Sequence, residues 1–236
     1  LTKLFRLNED GVGASDNRPK AKARFVVRGD KIYCATTGEL ITENDDLWQP
    51  TASLSSFRLT AAHALMTGRE LYSLDLPSAY TQVKWPHSRA KHYLRIMPKD
   101  RAYFTNPLYQ ATNHRKPIYR MLRCLYGHSA SGYEFMKTLF TSLSKLGFKP
   151  TPFNKALMYR FRGEELELIA VYVDDLAISS HNPQGLGDEL KQYFQVDSVD
   201  VCTKFLGIKI SSTQAEGIRY CRLSQEEYAT SIVEEY

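Results

Sequence analysis

The sequence predicts an α+β fold, and three observations carry that prediction. Short apolar strands alternate irregularly with amphipathic helical stretches, one pair of strands is joined so tightly that it must run antiparallel, and no repeat or low-complexity tract interrupts the chain. At 236 residues and 43% hydrophobic, the chain can bury a sizeable core as one large domain or two smaller ones.

Leu4 to Leu7 and Ala21 to Val27 are strand-like, and the polar, Gly-containing segment Asn8 to Arg18 joins them into a hairpin. A polar connection from Arg28 to Pro50 follows. Ser55 or Ser56 then caps a helix whose apolar positions are Leu59, Ala62, Leu65 and Met66, stopped by Gly68. Glu70 to Tyr80 holds a short apolar strand ending in Asp75, where Pro77 cannot donate a ladder hydrogen bond and forces a turn. Lys84 to Pro117 reads as loop-rich. Ser131 and Glu134 have the spacing of a capping box, opening a helix that buries Phe135, Leu139, Leu143 and Leu146 and closes at Gly147. Two apolar runs around Asp174-Asp175 form the tight hairpin. Pro183 opens a helix to about Phe194, a strand covers Phe205 to Ile210, and a last helix starts at Ser224 with Glu227 as its capping partner.

The chemistry concentrates in Leu168-Ile-Ala-Val-Tyr-Val-Asp-Asp-Leu-Ala-Ile-Ser179. Two adjacent carboxylates against apolar walls lose hydration and disfavour each other's ionisation, so a cation is the natural companion. Asp45-Asp46, in the polar stretch Thr42 to Asp46, reads instead as solvated loop. If the Asp75 strand lies beside the hairpin, Asp75, Asp174 and Asp175 meet at one edge of one sheet. Three carboxylates offer hard oxygen ligands suited to Mg²⁺, and two such ions can drive an in-line phosphoryl transfer. The bland alternative makes Asp75 a turn-capping residue and the doublet an ordinary tight turn.

A second signal lies upstream. Lys20, Lys22, Arg24 and Arg28 share one strand parity, and Ala21, Ala23, Phe25 and Val27 the other, so an extended strand sets its cations on one face. Such a row either binds a polyanion or serves as a solvated edge that resists aggregation. The net charge of +5 and pI of about 8.9 permit a nucleic-acid partner without requiring one. Cys34, Cys124, Cys202 and Cys221 are scattered and read as reduced thiols of an intracellular protein. No apolar run approaches a membrane span, no signal-peptide pattern opens the chain, and both ends read as cut from something longer.

These motifs together resemble the reverse transcriptase of copia-type LTR retrotransposons along nearly the whole chain. Tyr172-Val-Asp-Asp175 is similar to the polymerase signature, and Leu74-Asp-Leu-Pro-Ser-Ala-Tyr80 to the block around the first catalytic Asp. Lys22-Ala-Arg-Phe-Val-Val-Arg-Gly29 resembles the fingers block. Leu125-Tyr-Gly127, Leu146-Gly-Phe148, Phe205-Leu-Gly-Ile208 and Leu223-Ser-Gln225 with Tyr228 fit the later blocks in order and spacing.

The resemblance implies a right-hand polymerase. Its palm would be an antiparallel sheet with helices on one face, formed by 51–82 and 127–212. Fingers would occupy 1–50 and 83–126, and a thumb or connection would begin at 213–236. It implies catalysis by Asp75, Asp174 and Asp175, with Leu76 joining them around two Mg²⁺ ions that Mn²⁺ could replace. Lys22, Arg24, Ser78, Ala79, Tyr80 and Gly127 would bind the nucleotide, Arg24 bidentately and Tyr80 as a ring filling the volume of a 2′-hydroxyl. Tyr172, Phe205, Leu206 and Gly207 would meet the primer. Implied partners are an RNA template, a DNA or RNA primer, dNTPs and neighbouring protease, integrase and RNase H segments, with no membrane. Implied locations are the cytoplasm, in virus-like particles, and the nucleus.

The chain also departs from the family pattern. Leu125-Tyr-Gly-His-Ser-Ala-Ser-Gly132 stands where the family reads Leu-Tyr-Gly-Leu-Lys-Gln-Ser-Pro, and Pro77 replaces a Lys. His128 reads as a surface or loop histidine, and Lys204 as a surface lysine or a proton donor to pyrophosphate. Two other readings stay open: a different two-metal palm nucleotidyltransferase such as a cyclase, and a decayed or domesticated copy that binds nucleic acid without polymerising.

Overall fold

A computed structural model describes residues 2–8, 20–41, 47–96 and 118–235. In chain order the strands begin with β1 (Thr2–Asn8), β2 (Lys20–Val26), β3 (Ile32–Tyr33), β4 (Leu40–Ile41) and β5 (Tyr72–Asp75). They continue with β6 (Tyr93–Arg95), β7 (Ile118–Arg120), β8 (Lys149–Pro150), β9 (Leu157–Arg162) and β10 (Glu165–Tyr172). The last five are β11 (Asp175–Ser179), β12 (Val199–Val201), β13 (Lys204–Phe205), β14 (Ile208–Ala215) and β15 (Ile218–Ser224). The helices are α1 (Leu54–Met66), α2 (Ala79–Gln82), α3 (Ser131–Lys145), α4 (Pro183–Leu190) and α5 (Glu226–Glu235). Antiparallel sheets mixed with helices make this an α+β chain. It divides into two compact units, Leu1–Leu47 with Tyr80–Phe135, and Trp48–Ala79 with Met136–Tyr236. No helix among the described residues is long and apolar enough to cross a membrane.

The second unit is built on a six-stranded antiparallel sheet in the order β12-β5-β11-β10-β9-β8. From Glu167 to Val171 every residue of β10 is buried, as is Leu176 to Ser179 of β11. An unbroken buried run of this kind, apolar except for Glu167 and Ser179 at its ends, marks a strand covered on both sides, rather than one with a wet face. On one side Phe57, Ala61 and Ala64 of α1 share a core cluster with Ala170 and Ala177, and His63 Nδ1 lies 2.8 Å from Ser179 Oγ. On the other, Glu189 of α4 accepts from Arg160 of β9 at 2.7 Å, and Gly187 abuts Val199. Helices therefore cover both faces, where the resemblance implies one.

Helix α1 also turns a different stripe inward from the one its leucines suggest. Ser53 is the N-cap, accepting from Ser56 N–H at 3.1 Å, and the buried residues are Ser56, Phe57, Thr60, Ala61 and Ala64. Leu59 and Met66 face out, Met66 with 86% of its surface exposed. Small residues win because they let the helix approach Ala170 and Ala177 closely, while Phe57 fills the remaining volume by stacking on Phe205 at 5.0 Å.

A buried ionic network ties β9, β10 and α4 together. Arg160 Nε donates to Glu167 at 2.5 Å, its Nη1 donates to Glu189 and to the Leu146 carbonyl at 2.8 Å, and Ser180 Oγ donates to Glu167. Beyond the main sheet, β13, β14 and β15 form a three-stranded sheet. The sequence reading stops its strand at Ile210 and misses β15. The hairpin arises from a two-residue turn in which Glu216 (φ 50°) and Gly217 (φ 78°) are both left-handed, the geometry that suits a tight hairpin.

In the first unit β1 and β2 pair antiparallel, with Arg6 opposite Lys22 and Leu4 opposite Arg24. The predicted connecting segment between them lies outside the described residues, as does Asp45-Asp46. Two small ribbons, β3–β4 and β6–β7, appear where the sequence suggests only polar connection and loop. The expected capping box does not form at α3. Ser131 Oγ accepts instead from Leu125 N–H at 2.9 Å, and Glu134 forms an ion pair with Arg89 at 2.5 Å.

Candidate functional site

Strands β5 and β11 place the carboxylates. Asp75 is the last residue of β5 and Asp175 the first of β11, and the two are direct cross-strand partners, so they leave the sheet on the same face. Asp174 occupies the two-residue turn between β10 and β11, and its carbonyl accepts from Leu76 N–H at 3.2 Å. Val173 precedes it at φ 56°, a left-handed conformation in which a β-branched side chain is sterically strained. Such strain persists only where the surroundings over-determine the backbone, here two paired strands whose middles are buried.

The electrostatics of this edge are those of an anionic cluster. Partial burial, then the charges of Asp174 and Asp75, push the Asp175 carboxyl up to about 6. Among the described residues no three His, Cys, Asp or Glu side chains are already gathered closely enough to hold a metal. The donor set nevertheless fits a hard divalent cation: three carboxylates whose residues are adjacent in register, two of them near enough to disfavour ionisation of the third. A cation would relieve that repulsion and draw the carboxylates together.

Leu76 is fully buried, so only its carbonyl could serve a metal. Next come Ser78, at φ 53°, and Ala79, fully buried at the start of α2. Tyr172 ends β10 with 40% of its surface exposed. Phe205 does not offer its ring to a partner strand, because the ring is buried against Phe57. Leu206 (φ 52°) and Gly207 (φ 73°) form the turn between β13 and β14; Gly207 is exposed, whereas Leu206 is half-buried and packs on the core that holds the Phe205 ring. Lys204 pairs with Glu227 at 3.2 Å, and Lys209 reaches the same carboxylate at 3.3 Å.

In the first unit, two of the recognised sequence blocks meet through their backbones. Val27 N–H donates to the Tyr126 carbonyl at 2.9 Å and Gly29 N–H to the Gly127 carbonyl at 3.1 Å. Gly127 sits at φ 85°, and a Cβ there would come within 2.2 Å of the Val27 carbonyl oxygen. No other residue fits so close a crossing. The contact joins the end of β2, the strand carrying Lys22 and Arg24, to the Leu125-Tyr-Gly127 turn. Tyr80 stacks on Tyr126 with ring centroids 4.8 Å apart, and Phe135 lies 5.7 Å away. Arg28 has left the strand and pairs with Asp30 at 2.8 Å.

The departures from the family pattern have structural consequences as well. His128 lies in a loop, one of the two places expected, but is buried rather than on the surface, with 7% of it exposed. Its Nδ1 accepts from Ala130 N–H at 3.1 Å, and its other ring nitrogen lies 2.7 Å from His92 Nδ1, under Trp85. The sequence carries no local sign of this pair, because its members are separated by 36 positions.

The structure thus brings Asp75, Asp174 and Asp175 together in the second unit, with Leu76, Ser78, Ala79, Tyr172, Phe205, Leu206 and Gly207 belonging to the same unit. Lys22, Arg24, Tyr80 and Gly127 belong to the first. No curated protein and no solved structure matches the chain. A family model described as reverse transcriptase (RNA-dependent DNA polymerase) does match, over residues 11–236. A match of that extent makes the chain a member of the reverse transcriptase family.

Proposed function

We propose that this chain is the RNA-directed DNA polymerase domain of a copia-type retrotransposon, extending a primer 3′-hydroxyl with dNTPs on an RNA template. The observation that carries the reading is the direct pairing of Asp75 with Asp175 beside the Asp174 turn. In this reading the six-stranded sheet and its helices are the palm, the first unit contributes the fingers, and 213–236 begins the thumb.

Asp75, Asp174 and Asp175 would hold two Mg²⁺ ions, with the Leu76 carbonyl as a further oxygen donor and Mn²⁺ as a substitute. Bound there, the ions would lower the pKa of the primer 3′-hydroxyl and neutralise charge on the triphosphate. Lys22 and Arg24 are assigned to the triphosphate, Arg24 through a bidentate contact. Ser78 and Ala79 are small enough for phosphate oxygens to approach the backbone. Tyr80, braced by Tyr126 and Phe135, excludes the 2′-hydroxyl of a ribonucleotide. Gly127 sets the crossing that positions Tyr126 behind it. Tyr172 and the Leu206–Gly207 turn would support the primer strand.

The template, primer and dNTPs would be met inside the cell, in cytoplasmic virus-like particles or the nucleus, with protease, integrase and RNase H segments as neighbours in a polyprotein. A second reading, a decayed copy that binds nucleic acid without polymerising, is favoured by one feature, the altered Gly127–Gly132 segment. Extension of a DNA primer on an RNA template with Mg²⁺ decides between them. The wild type should add nucleotides and Asp174→Asn should not. Binding without extension by the wild type would establish the second reading.

A further inference from the structure

Gly132 belongs to the segment that departs from the family pattern, and it faces the end of the Tyr80 phenol. A Cβ at Gly132 would sit 3.4 Å from the Tyr80 hydroxyl oxygen and 3.8 Å from its Cζ. Among the described residues, outside its chain neighbours and its own helix, nothing else comes within 4 Å of that point. Tyr80 and Gly132 are both half-buried, and they belong to the same compact unit as Tyr126 and Phe135.

The packing around the Tyr80 ring is therefore lopsided. Tyr126 stacks on it at 4.8 Å and Phe135 flanks it at 5.7 Å, but on the side that faces Gly132 no side chain backs the phenol. The space left there is about one methyl group wide, and a lining that borders such a gap forgoes the contacts that would hold it in place. Solvent in that space yields to a moving ring, whereas a methyl group would not. The backbone does not demand the glycine. Gly132 is not among the left-handed glycines, and it lies in the first turn of α3, where Ala is accepted without strain. The Pro of the family pattern would also carry a Cβ at this position, so the opening belongs to this chain.

We propose that Gly132 sets how strictly Tyr80 selects the sugar. It is a positioning residue that acts through the phenol, and its missing side chain leaves the ring room to yield by a fraction of an ångström. A wall that yields admits a small 2′ substituent at reduced cost, so this chain discriminates less sharply against ribonucleotides than it would with any side chain at 132. The inference rests on the reading of Tyr80 as the wall that excludes the 2′-hydroxyl, and adds to it the residue that sets its stringency.

The test compares dATP with ATP, which differ only at the 2′ position, by kcat/KM in primer extension and by Kd in equilibrium binding to the protein with template–primer. Gly132→Ala should lower ATP use about tenfold and dATP use far less, the low end of what one methyl-sized change decides in a pocket. Gly132→Ser, which also carries a Cβ, should act in the same direction. In the Tyr80→Ala background Gly132→Ala should leave the dATP-to-ATP ratio unmoved, because the ring it acts through is gone. Mere stiffening of α3 by Ala would change both nucleotides together and would persist in that background. Equal losses on dATP and ATP, or a ratio that still moves without the Tyr80 ring, would overturn the assignment. If Tyr80→Ala relaxes sugar choice and Gly132→Ala leaves it unchanged, the role of Gly132 alone is refuted. If Tyr80→Ala leaves sugar choice unchanged, the sugar-exclusion reading falls and this inference falls with it. A protein that adds no nucleotide, yet whose binding ratio shifts with Gly132→Ala, refutes the polymerase reading alone, and one whose ratio stays fixed refutes both.

Discussion

Asp75 and Asp175 are opposite one another across β5 and β11, two anions in direct register at the end of a sheet whose middle is fully buried. A folded chain gains nothing from this pairing by itself, because like charges directly opposite each other are destabilising. With Asp174 in the adjacent turn, the metal-free edge is a site of built-in repulsion. A bound divalent ion would turn the repulsion into attraction.

That balance makes stability depend on pH in a definite sense. The Asp175 carboxyl is raised to about 6, so the folded chain holds this proton more tightly than the unfolded chain. Its contribution is complete below about pH 4 and is lost as pH rises through 6. Asp175→Asn has no such loss. In chelator, the melting temperature of Asp175→Asn relative to wild type should therefore climb between pH 5 and pH 7.5. Adding Mg²⁺ at pH 7.5 should raise the wild type and leave the variant nearly unchanged. A variant equally displaced at both pH values would show that the triad is not electrostatically coupled.

Glu167 gives a prediction of the opposite sign. It is buried between Arg160 and Ser180, and Arg160 is itself buried. Glu167→Ala removes one member of a buried ion pair and leaves the guanidinium short of charge, although Glu189 still reaches it. The expected cost is about 3 kcal/mol in chemical denaturation, near the low end for a broken buried pair. Glu167→Gln, which keeps an acceptor oxygen, should cost less. A loss under about 1 kcal/mol for Glu167→Ala would mean that the network adds little to stability.

The four cysteines should differ sharply in reactivity. Backbone amide and hydroxyl contacts from Thr37 and Thr36 bring the Cys34 thiol down to about 7, whereas burial takes Cys124 and Cys202 up to about 11. Because the thiolate is the nucleophile, iodoacetamide at pH 7 should label Cys34 well ahead of the others, read by peptide mass spectrometry. Simultaneous labelling of Cys34 and Cys202 under native conditions would contradict this environment.

The carboxylate edge was readable in the sequence because its cause is local: charged residues set within apolar runs whose strand character is unmistakable. The face that α1 buries was not. Periodicity counts large apolar side chains, but the helix packs by Ala61, Ala64 and Thr60, whose value lies in being small beside Ala170 and Ala177. The same limit hid the His92–His128 pair and the burial of the Phe205 ring, each created by a contact between distant segments. Ser131 and Glu134 have the spacing of a capping box, yet Leu125 and Arg89 take their side chains. Tertiary partners outcompeted a local motif worth only about 1 kcal/mol.

Tyr80 is the place where the proposed function can be tested for mechanism rather than presence. Its ring is stacked on Tyr126 and flanked by Phe135, so it is held from behind and cannot swing aside easily. A braced ring can exclude a 2′-hydroxyl by volume alone, since a sugar displaced by even about 1 Å can lose on the order of 100-fold in rate. Tyr80→Ala should raise ribonucleotide incorporation by about one to two orders of magnitude, at about 1.4 kcal/mol per decade. Deoxynucleotide incorporation should fall modestly, because the sugar also loses a packing surface. Tyr80→Phe keeps the ring and should keep the selectivity. Tyr126→Ala removes the brace without touching the wall, and should relax selectivity in part. Steady-state kcat/KM for matched dNTP and rNTP pairs measures all three variants. Equal relaxation by Tyr80→Phe and Tyr80→Ala would transfer the discrimination from the ring to the phenolic hydroxyl.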